Sequence, residues 1–365
     1  MVLEFAKLSA RRLEVEQLAC GTQLNFDSEF AVGSMIMCLR RWLKSKQVRQ
    51  LIYFILFGLT LTAICACNQN PSPQADDLST SGAVRVVKHA MGETKIATTP
   101  QRVVVLDTAP LDAALALGVQ PIGASLPRTD ALPAYLGDRT AGITPVGENP
   151  PNLESIVRLQ PDLIIGNTNA HRQIYDKLSR IAPTILTAGN STDGQWKQEL
   201  RLYAAALGRT DAVQTLLNDY NQRVKKLKQQ LKQADDLQVS VILTAQEWIA
   251  FYTKTSFPGS VLQDVGLARP PIQNIEGKSW VQVSQEDLQS IDGDAIFLLH
   301  VASDKMPGSF TVNQFVKNPL FSQLKAVKQG RVYEVDAEVW HLGSNILGAN
   351  RILDDLFKYL VENTH

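Results

Sequence analysis

One segment limits the possible folds more than any other. After Gly208, residues 210–234 place Val213, Leu216, Leu217, Tyr220, Val224, Leu227 and Leu231 at helical spacing, with Lys, Gln and Asp on the opposite face. Seven turns of that stripe predict a helix roughly 37 Å long, capped by Thr210. Alone it would read as a coiled coil. Short β-rich runs flank it on both sides, however. VVVLD (103–107), PIGAS (121–125), DLIIG (162–166) and PTILT (183–187) come before it, and VSVILT (239–244), AIFLLH (295–300) and RVYEV (331–335) come after. Helical patterns alternate with these runs, and Gly118, Pro121, Pro161 and Pro183 punctuate the connections. Such alternation predicts largely parallel α/β sheets. The expected layout is an α/β lobe over 84–208, an interlobe helix over 209–236 and a second α/β lobe over 237–365, with a ligand cleft between the lobes.

An internal repeat supports two related lobes. NLESIVRLQPDLII (152–165) aligns with SQEDLQSIDGDAIF (284–297) at an offset of 132, pairing Glu154 with Glu286, Ile156 with Leu288 and Asp162 with Asp294. Each unit reads as a helix capped by Asn152 or Ser284, turning tightly into a buried strand. Generic αβ patterning would match the apolar positions, but it does not explain the acidic matches. Two similar lobes place a ligand at their junction.

The chain begins differently. Arg40, Arg41, Lys44, Lys46 and Arg49 precede LIYFILFGLTLTAICA (51–66), which carries no charge. A basic region, a short apolar region and small residues at its end predict an export signal, since a membrane-spanning helix needs about 20 apolar residues. The exit resembles a bacterial lipobox with Cys67 at its invariant position, although Cys65 replaces the usual Ala or Ser. That resemblance implies acylation of Cys67, removal of the signal peptide at 37–66, and durable anchoring. Residues 1–36 precede the signal and are set aside, with Met35 or Met37 expected as the start. Residues 67–83 contain a polar tether that lacks bulky apolar groups. All four Cys lie at or before position 67, so no disulfide is expected in the exported domain. The chain from Cys67 onward holds 28 basic and 31 acidic residues, a balance that argues against nucleic acid as partner.

No phosphate-loop, dinucleotide-binding, nucleophile-elbow or zinc-protease motif is present. His171, His300 and His341 lack zinc-ligand spacing, and no nucleophile–base pair stands out. Aromatic and basic residues in expected loops are more informative. They are Trp248, Tyr252, Arg269, Trp280 and Trp340 in the second lobe, and Arg128, Asn167, Asn169 and His171 in the first. Loops beyond the carboxyl ends of parallel strands bind ligands. Indoles stack on planar groups there, and guanidinium groups grip anionic oxygens.

Several runs carry a family resemblance: RVVVLDTAPLDAALALGVQPIG (102–123), VGENPPNLESIVRLQPDLIIG (146–166), FPGSVLQDVGLARPP (257–271) and NPLFSQLKAVKQGRVYEVDAEVWHLGS (318–344). Over 84–365 the chain resembles the helix-bridged substrate-binding lipoproteins of ABC importers, most of all the iron–siderophore type. The resemblance implies two Rossmann-like lobes joined by one rigid helix, small closure on the ligand, and capture without chemistry. It implies a ferric siderophore as cargo, with haem or cobalamin as the alternative, and no cofactor; an exported lipoprotein enzyme is the competing class. It also implies that Trp340 contacts the ligand and that Glu154 and Glu286 dock into an ABC permease dimer. Hydroxamate-binding relatives carry an Arg shortly before PNLE, whereas this chain has Glu148 and Asn149.

Overall fold

The computed structural model describes residues 84–97, 99–126, 131–189, 194–231, 237–245, 248–300 and 311–362. The export signal, Cys67, the tether and Arg128 lie outside these residues. Among the described residues no helix is long and apolar enough to cross a membrane.

β1 (Val84–His89) and β2 (Gly92–Ala97) form an antiparallel hairpin ahead of the first lobe. The first-lobe sheet contains β3 (Val103–Val105), β4 (Gly123–Ala124), β5 (Thr144–Pro145), β6 (Leu163–Asn167) and β7 (Thr184–Thr187). All are parallel, in the order β5-β4-β3-β6-β7. The second contains β8 (Val239–Ala245), β9 (Trp248–Tyr252), β10 (Trp280–Val283), β11 (Ala295–His300) and β12 (Val332–Asp336), in the order β10-β9-β8-β11-β12. Here β9 runs antiparallel to both neighbours, while β8, β11 and β12 are parallel. In each sheet the chain order reverses around the first central strand, giving switch points at β3/β6 and β8/β11.

The repeated acids explain why both lobes are built alike. Asp162 stands just before β6, and its carboxylate accepts from Gln101 N (2.7 Å) and Arg102 N (2.9 Å) at the entrance to β3. Asp294 stands just before β11 and accepts from Gln238 N (2.8 Å) at the entrance to β8. Each acid satisfies a backbone donor that would otherwise be unpaired and pins the register of the central strand pair. The helices above them differ. Asn152 caps Leu153–Leu159 by accepting from Ser155 N. Ser284 heads a 3₁₀ helix, Gln285–Ile291, and its hydroxyl donates to Asp287 instead.

The long helix runs Thr210–Gln230, with Val213, Leu217, Tyr220, Val224 and Leu227 buried. Thr210 is its first residue rather than its cap. Gly208, with φ +69°, ends the preceding helix Trp196–Leu207 in the left-handed conformation, leaving Arg209 alone in the cap position without a side-chain bond.

The lobes share one core. Val103, Val105, Leu163 and Ile165 of the first sheet belong to the same continuous apolar cluster as Val241, Leu243, Phe297 and Leu299 of the second. The long helix and the C-terminal helix Ile346–Leu360 run through that cluster. The other faces form separate outer cores, one over Val104 and Ile164, the other over Ile242, Ile296 and Leu298. Trp196 is fully buried and meets Tyr220 (5.0 Å) and Phe257 (6.4 Å) edge-on, joining three helices. Polar ties reinforce this junction. Tyr220 Oη donates to Asp264 (2.8 Å), which also pairs with Lys197. Arg223 bonds Asn350 Oδ1 (2.7 Å) and pairs with Asp354.

A second tie is fully buried. Asp112, on the first-lobe helix Thr108–Ala116, accepts from Leu347 N (2.9 Å) and Gly348 N (2.8 Å), the second and third N–H groups of the C-terminal helix. Tyr135 Oη lies 2.9 Å from Asp112 Oδ2 and 3.1 Å from Gly343 O. Beside it, Glu338 accepts from Ala134 N (2.8 Å).

Candidate functional site

The β9–β10 ladder presents an aromatic wall. Trp280 pairs with Tyr252, and Val283 with Ile249. Side chains alternate along a strand, so Trp248, Ala250, Tyr252, Trp280 and Gln282 share one face. Ile249, Phe251 and Val283 take the other, in the outer core. The aromatic face is the one turned to the shared core, and Trp248 packs at that core's edge. Trp248 and Trp280 stack with centroids 6.2 Å apart and planes 29° apart, and Trp280 remains 48% exposed. A half-open indole pair can stack on planar or apolar ligand parts. Tyr252 is almost fully buried, and its hydroxyl pairs with His341 Nδ1 (2.9 Å). Burial pushes its phenol far above the usual range, so it stays neutral.

The first lobe gathers polar groups at the β3/β6 switch point. Asp107 caps the Thr108–Ala116 helix by accepting from Thr108 N (2.6 Å). Asn167 ends β6. Its amide nitrogen donates to Asp107, and its amide oxygen accepts from Ala170 N (2.9 Å). His171 Nδ1 folds back onto the Asn167 backbone (3.1–3.2 Å), and burial lowers its basicity.

Several expected ligand residues make contacts within the fold. Trp340 is fully buried, stacks on Phe297 at 4.8 Å, and donates from Nε1 to Asp355 (2.7 Å). It ends a one-turn helix, Ala337–Trp340, capped by Asp336, which turns the indole into the core. Arg269 donates from Nη2 to Gly259 O (2.9 Å) within its own lobe, and burial lowers its guanidinium pKa to about 10. A Cβ at Gly259 would lie 3.0 Å from that guanidinium, so the arginine closes a loop over the Phe257–Val265 helix. Asn167 and His171 are likewise buried and engaged with Asp107 and the backbone. Thus the structure brings Trp248, Trp280 and Tyr252 together, and Asn167 with His171. Trp340 and Arg269 are instead engaged with Asp355 and with Gly259 O. Glu154 and Glu286 are exposed, each the second residue of its helix. Sequence reading missed Asp107, Asp112 and Tyr135, and weighed His341 only as a zinc ligand. The lone acid in the apolar helix TAPLDAALA was the available signal for Asp112.

Residues 103–339 match the periplasmic binding protein family. The chain belongs to this family. It is 35% identical over 327 residues to a Bacillus subtilis protein named "Probable siderophore-binding lipoprotein YfiY", covering 87% of this chain and 99% of that relative. It is 29% identical over 317 residues to the Fe(3+)-citrate-binding protein YfmC of the same organism, covering 86% and 97%. Among solved structures, Staphylococcus aureus SirA complexed with staphyloferrin B matches with a TM-score of 0.67 at 29% identity, covering 76% of this chain and 98% of that one. In this periplasmic binding protein, Trp248 is half-buried while Trp280 and Gln282 on the same face are exposed.

Proposed function

We propose that this chain is the substrate-binding protein of an ABC importer, capturing a ferric siderophore outside the inner membrane and delivering it to a permease. The stacked and half-exposed Trp248–Trp280 pair carries the reading, because an indole wall at a lobe junction offers a large apolar contact without catalytic groups. Relatives named for siderophore and Fe(3+)-citrate binding support it. The iron complex is cargo, so no resident cofactor takes part and no turnover follows capture. Lipid on Cys67 holds the protein at the extracytoplasmic face of the cell membrane. Glu154 and Glu286 are exposed on the first turns of helices that the internal repeat makes equivalent. They dock onto the two like halves of the permease, which works with its ATPase subunits. Charges so placed set orientation and encounter rate more than affinity.

Tryptophan fluorescence tests the ligand. A ferric siderophore should quench emission saturably, and Trp280→Ala should weaken binding by about 1–3 kcal/mol, roughly 5–150-fold. No saturable response to any ferric citrate-type, hydroxamate or catecholate complex, with haem or cobalamin binding instead, would overturn the reading.

A further inference from the structure

The aromatic wall does not end at Tyr252 and Trp280. Thr253 N donates to Ser279 O (3.1 Å), continuing the β9–β10 ladder by one pair. Lys254 and Lys278 lie two residues beyond the last strand pair, Tyr252 and Trp280, and Lys278 O accepts from the hydroxyls of Thr253 and Thr255 beside them. There the second lobe meets Gly194 and Gln195 of the first, and Gly194 N donates to Thr255 O (2.8 Å) across the junction. A crevice of about 370 Å³ opens between them, lined by Gln195, Lys254, Thr255, Ser260, Gln263 and Lys278, with Gly194 and Gly277 at its rim.

The lining has one chemical character. It offers two ammonium groups, two hydroxyls and two carboxamides, and none of the described lining residues is acidic. Lys254 pairs with Glu276 (2.8 Å), which stands outside the lining and is largely exposed. Lys278 is exposed. Gln195 also holds the cap position of the Trp196–Leu207 helix without a side-chain bond, so the positive end of that helix opens onto the crevice. The volume lies at the lower end of the range for small-molecule sites, enough for an arm of a chelate but not for a whole ferric complex.

We propose that this crevice takes the free carboxylate arm of the ferric chelate whose apolar face rests on Trp248 and Trp280, so that the cargo is a carboxylate-type siderophore. The inference rests on the reading of the chain as a ferric-siderophore binder and adds the substrate class. A hydroxamate complex without net charge offers no anionic group to Lys278 and leaves Lys254 with Glu276 alone. A carboxylate arm supplies charge-assisted bonds to both.

The test compares wild type with Lys278→Gln and Lys254→Gln/Lys278→Gln, using ferric citrate, ferrichrome and ferric enterobactin as probes. Circular dichroism and thermal melting confirm folding, and the exposed Lys278 supplies a variant that leaves the ladder intact. Wild type should prefer ferric citrate. The single change should weaken ferric citrate binding about 5-fold and the double change about 10–100-fold, with a shallower salt dependence. Equal affinity of wild type and double variant for ferric citrate overturns the proposal, as does wild-type preference for ferrichrome or ferric enterobactin. If no ferric complex binds, the functional reading fails separately, and iron-free citrate then decides the crevice. A thermal shift by citrate that disappears in the double variant supports a carboxylate site, and no shift overturns it.

Discussion

Asp112 should make this protein less stable as pH rises through neutrality. Its carboxyl is fully buried, and burial raises its pKa from 3.8 to about 7, against the opposing effects of the Leu347 and Gly348 N–H groups, Tyr135 and Arg139. Between those two values the folded state keeps a proton that the unfolded chain has lost. Stability from this group is therefore fully present below about pH 4 and is lost as pH rises through about 7, by about 1.4 kcal/mol per pH unit and about 4 kcal/mol in all. The geometry explains how the neutral form is held. Tyr135 has one hydroxyl proton and two acceptors in reach, Asp112 Oδ2 (2.9 Å) and Gly343 O (3.1 Å). A protonated Asp112 can donate to the tyrosine oxygen, which frees the tyrosine proton for Gly343, whereas an ionised one leaves Gly343 without it. Asp112→Asn removes the titration and places an amide NH₂ against one of the two helix N–H groups, at a cost of about 1–3 kcal/mol at any pH. Urea unfolding of wild type and Asp112→Asn from pH 4 to pH 8 measures the difference directly. The variant should be less stable in acid, and the gap should close or reverse by pH 8. A gap that stays constant with pH refutes the reasoning.

Trp340→Ala should lower stability by about 3–5 kcal/mol in urea melts, through the cavity beside Phe297 and the stranded Asp355 carboxyl. Trp340→Phe should keep ferric-chelate affinity near wild type in quenching titrations, and a large loss of affinity in a folded Trp340→Phe protein would return this residue to the ligand site. Glu154→Ala/Glu286→Ala should leave ligand affinity and melting temperature within about 0.5 kcal/mol of wild type, as expected for exposed positions. Stimulation of the importer's ATPase in vesicles should fall sharply in that double variant, and normal stimulation would remove the docking role.

The two-lobed architecture was legible in the sequence because its signals are periodic and local. The runs at 103–107, 162–166, 183–187, 239–244, 295–300 and 331–335 each hold a strand of the parallel sheets, and their apolar character on both faces follows from burial on both sides. The acidic repeat pointed to a shared device, and Asp162 and Asp294 perform it at the entrances to β3 and β8. β9 and β10 were not anticipated as strands. Their side chains alternate between an outer core and a stacked pair of tryptophans, so they resemble loop aromatics rather than a half-polar strand. The site was less legible for a related reason. An indole in sequence carries no mark of whether it stands half-exposed, as Trp280 does, or packs on a neighbouring phenyl ring, as Trp340 does. That choice depends on one-turn geometry after β12, where Asp336 caps Ala337–Trp340. Arg269 likewise closes onto Gly259 O, a contact set by the turn between them.

The single apolar core running through both lobes has a kinetic consequence. Lobes that share buried Trp196, Tyr220 and Phe257 and the helix Ile346–Leu360 cannot swing apart without exposing that surface to water, at roughly 25 cal/mol for each Å². Cargo should therefore arrive and leave without a large rotation of one lobe against the other. Association should follow simple one-step kinetics with a rate proportional to ligand concentration, and discrimination among chelates should appear in how long each one stays.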